Sequence, residues 1–325
     1  MIPVRTLFLA ASAALLAFAP AQAAQPLPVV ASFTILADMA SQIGGDKIAV
    51  ATLVGPDGDA HVYQPTPSDA KTLARSRLVL VNGLGMEGWL DRLVAASATK
   101  APVIVVSQGV APLTMEDEDE DHADHDHEKG HNHAKAHDGD DHGHHHDHDG
   151  LDPHAWQNLA NGKIYAANIG AALAKADPAN AAYYQQRTQD YIARLDALDS
   201  WVKAEIARVP EAKRKIVTSH DAFGYFANAY GVAFLAPVGI STEAEPSAAG
   251  MGRLIEQIKK EGVKTVFVES MSSPKLAEVL AKDAGAAVGA AIYSDSLSPK
   301  NGPAPSYEAM FRHNVPLFVD AMNRE

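Results

Sequence analysis

Apolar runs of four to seven residues, rich in Val, Ile and Leu, alternate along this chain with stretches whose apolar positions recur every three or four residues. The segment PLPVVASFTILADMASQIGGD reads as a buried strand followed by a helix ending at Gly44-Gly45. A second run, Ile48 to Val54, is closed by GPDGDAHVYQPTPSD, too rich in Pro, Gly and Asp to be regular. Ser68 is the expected N-cap of a helix through Ala74. LVLVNG at 78–83 and VIVVS at 103–107 are further strands, separated by the helical pattern Met86–Ala98. Short buried strands alternating with helices predict a parallel sheet covered on both faces.

The pattern stops at residues 115–150, which contain no Leu, Ile, Val or aromatic residue. Such a stretch buries too little apolar surface to offset the entropy of ordering it, so a disordered insertion is expected. Beyond it, Asp152 before Pro153 predicts an N-cap and first helical position, with the helix running to about Lys175. From 177 to 209 neither Gly nor Pro interrupts the pattern after Pro178, and Tyr191, Leu195, Leu198, Val202 and Ile206 fall on one helical face. That helix would span roughly 45 Å and is expected to connect two lobes. Strand–helix alternation then resumes with KIVTSH, AFLAPVG, KTVFVES and AAVGAAIYSD, with caps expected at Ser247 and Ser273 and a stop at Gly285. The fold class is therefore α/β: two βα lobes with parallel sheets, joined by one long helix, with a cleft between them. The expected boundaries are 1–23 for a signal peptide, 24–176 for the first lobe, 177–209 for the connecting helix and 210–325 for the second lobe.

Composition changes this picture in three places. The amino terminus carries Arg5, an apolar run too short to span a bilayer and Ala21-Gln22-Ala23 before a cleavage point, which predicts export to a periplasm. The chain has no cysteine, so it offers neither a disulfide nor a lipid-anchoring thiol. The net charge is −13, but the fourteen carboxylates and two lysines of residues 116–149 account for nearly all of it. The rest is close to neutral, which gives no support to nucleic-acid or anionic-membrane binding. No G-x-G-x-x-G follows the first strand, and no nucleotide-binding P-loop is present.

Eleven of the fifteen histidines lie in the insertion beside its carboxylates, a mixture that binds divalent transition metals. Of the other four, His61, His154 and His220 follow strands, and Asp295 closes the last one. Ligands of open α/β sheets bind beyond the carboxyl ends of strands, so two groups from each lobe would converge on a cleft. Three imidazoles and a carboxylate make a closed tetrahedral set suited to Zn²⁺, whereas manganese favours more oxygen donors. Asp59 and Asp221 are alternative oxygen donors, read here as loop or supporting groups. Glu269 either points at the cleft or caps a helix, and His313 is expected on the surface of the terminal helix.

The segments DAHVYQPTPSD, LDPHAWQNLANGKIYAANI, VTSHDAFGYFANAYG, TEAEPS, VFVES and YSDSL resemble the zinc/manganese solute-binding proteins of bacterial ABC importers. The similarity covers essentially the whole chain after the leader. It implies two pseudo-symmetric lobes, a connecting helix and one cleft metal held by His61, His154, His220 and Asp295. Many manganese-type members carry glutamate at the third position, so His220 and the long histidine-rich loop point to zinc. The expected protein is a periplasmic monomer that captures Zn²⁺ and passes it to a membrane permease, the loop serving as collector or as docking surface for a periplasmic metal donor. The alternatives are a manganese or other divalent-metal binding protein of the same kind, or a metal buffer or adhesin without a transporter. An enzyme is disfavoured, because catalytic zinc keeps an open coordination position and four protein ligands close it.

Overall fold

The computed structural model describes residues 25–114, 150–243 and 246–324. The expected signal peptide and almost all of the histidine-rich insertion lie outside these residues. The first half contributes strands β1 (Leu27–Phe33), β2 (Ile48–Val54), β3 (Leu78–Val81) and β4 (Val103–Val105), all parallel, in the order β2-β1-β3-β4. The second half repeats the arrangement with β5 (Lys215–Val217), β6 (Ala233–Leu235), β7 (Thr265–Glu269) and β8 (Ala287–Ile292), in the order β6-β5-β7-β8. β1 and β3 are buried on both faces for most of their length, as their unbroken apolar runs require.

Helices α1 (Thr34–Gly44), α2 (Pro67–Arg75), α3 (Leu90–Ser97) and α4 (Leu159–Ala176) belong to the first half, and α6 (Gly224–Tyr230), α7 (Ala248–Glu261) and α8 (Pro274–Ala284) to the second. Between them runs α5 (Ala181–Ile206), whose 26 residues span about 39 Å. Its apolar face, Tyr191, Leu195, Leu198, Val202 and Ile206, is buried. α5 packs against α4 and α1 on one side and α6 on the other, and the terminal helix α9 (Tyr307–Asn323) lies along it as well. α9 fills the centre with Phe311 and Phe318, and Phe318 meets Phe223, Phe226, Phe234 and Phe267 at centroid separations of 5.6–5.9 Å.

Three local expectations change. Thr66, not Ser68, caps α2: Pro67 occupies the first helical position, and the Asp69 carboxylate accepts from the Thr66 N–H and hydroxyl, closing a capping box. The helix expected from Met86 begins only at Leu90, because Gly83, Leu84 and Gly85 all have positive φ and form a turn. That turn is also part of a G-x-G-x-x-G string, Gly83 to Gly88, after the third strand. At its start the Asn82 and Gly83 N–H groups donate to the chain's own Glu87 carboxylate at 2.7 and 3.1 Å, which puts an internal anion where a phosphate would sit. Finally, α4 starts at Leu159 with Asn158 as its cap, and Asp152 is not a helix cap at all.

Leu195 on α5 is wholly buried, so truncation leaves a cavity. Leu195→Ala is expected to lower stability by about 2–5 kcal/mol, read as a lower urea midpoint with an unchanged slope.

Candidate metal centre

Each candidate ligand sits in a loop that a short local device holds in place. His61 follows β2. Its N–H donates to Asp59 Oδ1 at 2.9 Å, and the Trp89 indole N–H holds the preceding carbonyl, Ala60, at 2.8 Å. The same device recurs at His154, whose N–H donates to Asp152 Oδ1, also at 2.9 Å. Asp152 Oδ1 lies 2.8 Å from His154 Nδ1 as well, so this carboxylate fixes both backbone and ring and turns Nε2 inward. Gly224 makes room for it: a side chain there would place its first carbon 2.6 Å from Asp152 Oδ2. His154 does not directly follow a strand. It enters through the stem of the insertion, where Asp152 N–H donates to the Leu113 carbonyl and Thr114 pairs with Leu151. The Pro153 carbonyl accepts from Asn82 Nδ2, and Asn82 Oδ1 accepts from the Tyr165 hydroxyl, tying the loop to β3.

In the other lobe, His220 lies three residues beyond β5 and bridges to Val238. Glu269, at the end of β7, accepts from the N–H groups of Ser219 and His220 at 3.0 Å each and from the Ser294 hydroxyl. Its Oε2 lies 2.6 Å from His220 Nδ1, off the line of a straight hydrogen bond, so the contact is an electrostatic one. Asp295 follows β8. Beside it, the Ser294 carbonyl accepts from Trp156 Nε1 and Gln157 Nε2, both at 2.9 Å, which joins the His154 loop to the Asp295 loop across the cleft.

These loops bring His61, His154, His220 and Asp295 together, with one ligand-type atom of each within 4.8 Å of the others. His61 Nε2 is 3.2 Å from His154 Nε2 and 3.3 Å from Asp295 Oδ2. His220 Nε2 is 3.1 Å from Asp295 Oδ2, and His154 Nε2 is 3.5 Å from Asp295 Oδ1. Donors about 2.0–2.1 Å from a tetrahedral ion stand roughly 3.3 Å apart, so the spacing fits such an ion. The four residues are 8, 0, 1 and 0% exposed, and Asp295 Oδ1 is buried without a hydrogen-bond partner. A buried carboxylate oxygen left this way is costly unless a cation reaches it. Asp59, Asp221 and Glu269 stand outside the cluster. His313 is remote from it, with Nε2 at 2.8 Å from the Ala291 carbonyl.

The charges reinforce the geometry. Burial pulls the His154 imidazole pKa down, but Asp295 and Asp152 outweigh it and lift it to about 9. Burial likewise opposes protonation of His220, and Glu269 and Asp295 overcome it, raising the pKa well above the ordinary value. For Asp295 burial favours the neutral acid, yet His154 and His220 hold its pKa well below the usual carboxylate range. Three carboxylates, Asp152, Glu269 and Asp295, surround these imidazoles. Without a metal, protons on the rings balance them; a dication would take that place.

The supporting carboxylates were only half legible. Asp152 reads as a helix cap, although the repeat Asp59-x-His61 and Asp152-x-His154 is a visible signal that both aspartates fold back on a histidine. Trp89, Asn82 and Trp156 carry no local signal, since their partners are 29, 71 and 138 residues away.

Two parallel-sheet lobes around a buried three-imidazole, one-carboxylate cluster define a cleft-type binding protein for divalent metal. The chain belongs to the family described as zinc-uptake complex component A, periplasmic, whose pattern it matches over residues 29–321. It is 32% identical to the manganese ABC transporter substrate-binding lipoprotein PsaA of Streptococcus anginosus, over 94% of this chain and 92% of that one. It is also 32% identical to the iron-binding protein YfeA of Yersinia pestis, over 94% and 90%. Among solved structures it resembles the Mn-bound periplasmic metal-binding protein from Candidatus Liberibacter asiaticus, with a TM-score of 0.74 and 29% identity over 91% of this chain and 99% of that one. The periplasmic zinc-binding protein TroA of Treponema pallidum superposes with a TM-score of 0.78 at 26% identity, over the same shares. The chain is thus a substrate-binding component of the ABC metal-importer type.

Because the pKa values of both imidazoles are raised, a divalent cation competes with protons for them. Affinity should rise as pH climbs towards about 9 and fall steadily below it, with protons released as the ion binds at pH 7.5. Calorimetry in buffers of different ionisation enthalpy counts them. Asp152→Ala, which frees the His154 ring, should weaken metal affinity by about 10–100-fold in a competition titration.

Proposed function

We propose that this protein captures Zn²⁺ outside the cytoplasm and delivers it to the membrane permease of an ABC importer. The observation that carries the reading is the donor set: three buried imidazoles and one buried carboxylate, spaced 3.1–3.5 Å apart where neighbouring atoms approach. Such a set suits a four-coordinate ion of borderline softness, whereas a manganese site would be expected to recruit more oxygen. His61, His154, His220 and Asp295 are the proposed ligands. The family's description speaks of zinc uptake, while the relatives above are named for manganese and iron, so the reading rests on the donor set rather than on kinship.

The protein acts as a carrier and not as a catalyst in this reading, because the four ligands leave no open position for a reacting water. The string His127-Glu128-Lys129-Gly130-His131 does spell H-E-x-x-H, but it lies in a stretch where every third residue or so is histidine. That spacing carries zinc-hydrolase chemistry only on a helix that faces a cleft. The leader-like amino terminus supports a periplasmic location, and the histidine-rich stretch supports a second, weaker class of zinc sites that collects ions or meets a metal donor.

Competition titrations test the metal. Zinc should bind at least about 100-fold more tightly than manganese, and the His154→Ala, His220→Ala double variant should lose nanomolar zinc binding. Equal affinities for the two metals in the parent protein would favour the manganese reading instead.

A further inference from the structure

The four ligand side chains are nearly inaccessible, so an ion enters or leaves only along a passage that opens between the lobes. A cavity of about 250 Å³ adjoins the cluster on one side. Its walls include the ligand His220 and its neighbour Ser219, Met271 and Ser272 from the turn after β7, and Thr242 from the loop before α7. The opposite lobe contributes Asp59, the one carboxylate among the described residues that line it. At about 30 Å³ per water molecule, this space holds a divalent cation with roughly six waters.

Asp59 is placed to couple the passage to the ion. Its Oδ1 accepts from the N–H of the ligand His61, and its Oδ2 accepts from the Thr242 hydroxyl at 2.7 Å. The second bond joins the two lobes directly over the cavity, between residues 183 positions apart. One carboxylate therefore holds a metal ligand with one oxygen and the facing lobe's loop with the other.

We infer, building on the zinc-capture reading above, that this cavity is the passage by which the cation enters and leaves, and that the Thr242–Asp59 hydrogen bond is its latch. Opening the latch separates Thr242 from the His61 loop and exposes the cluster through the cavity. An arriving hydrated cation then meets Asp59 as its first carboxylate, and closing the latch again withdraws that carboxylate to Thr242 and seals the ion among its four ligands.

The latch and the passage predict rate changes of opposite sign. In stopped-flow release of zinc from the full chain into excess chelator, Thr242→Val should release zinc at least about tenfold faster, the size expected for one hydrogen bond to a charged group. Its capture rate should rise too, so that the dissociation constant moves less than either rate. Thr242→Ser, which keeps the hydroxyl, should return to the parent rates. Ser272→Trp, which fills the cavity, should slow both capture and release by about tenfold or more. Release from Thr242→Val within twofold of the parent overturns the latch, and unchanged rates in Ser272→Trp overturn the passage. Failure of the parent protein to hold zinc tightly would instead overturn the zinc-capture reading, which the same titrations show separately.

Discussion

The arrangement of this protein depends on one electrostatic constraint: a fully buried Asp295 carboxylate faced by three imidazoles, with two more carboxylates behind them. Such a group is stable only with positive charge at its centre. Ring protons supply it when no metal is bound, which is why the pKa values of His154 and His220 are raised against the pull of burial. A dication supplies it better, because it reaches several donors at once and relieves the unpartnered Asp295 oxygen. Bound metal and ring protons are thus two ways of meeting one charge balance.

The scaffold meets that constraint by placing loops, not by shaping strands. Both sheets have the same order, with the second-numbered strand of each lobe at one edge, and their carboxyl ends face a common cleft. What makes the placement rigid is the packing of α5 and α9 across both halves, together with Trp156 and Gln157 holding the Ser294 carbonyl. A carboxylate behind each of two imidazoles then fixes which ring nitrogen looks inward. The Asp59–Thr242 contact differs in kind: it sits at the rim and joins two loops by one polar bond, so it can break without disturbing the core.

Much of this was legible along the chain, because strand and helix periodicities are local properties. The buried runs at β1, β3 and β7, the face of α5 and the cap at Ser247 follow from residues within one turn or one strand of each other. The candidate ligands His61, His154, His220 and Asp295 stood out for a related reason: once the insertion is set aside few histidines remain, and three of them lie in polar loops between apolar elements. Family likeness added the order of the motifs.

Tertiary structure decided whatever depends on partners distant in sequence. Asp152 looks like a helix cap until the fold sets His154 Nδ1 beside it and Gly224 behind it. Glu87 turns back on the Asn82 and Gly83 N–H groups, a contact that only the folded turn makes. Thr242 is an ordinary loop residue until the opposite lobe brings Asp59 within 2.7 Å. Local sequence sets the dihedral preferences and the apolar face of each element, and these act over a few residues. The charge balance of the cleft arises from groups as far apart along the chain as His61 and Asp295, and only the packed chain puts them within reach of one another.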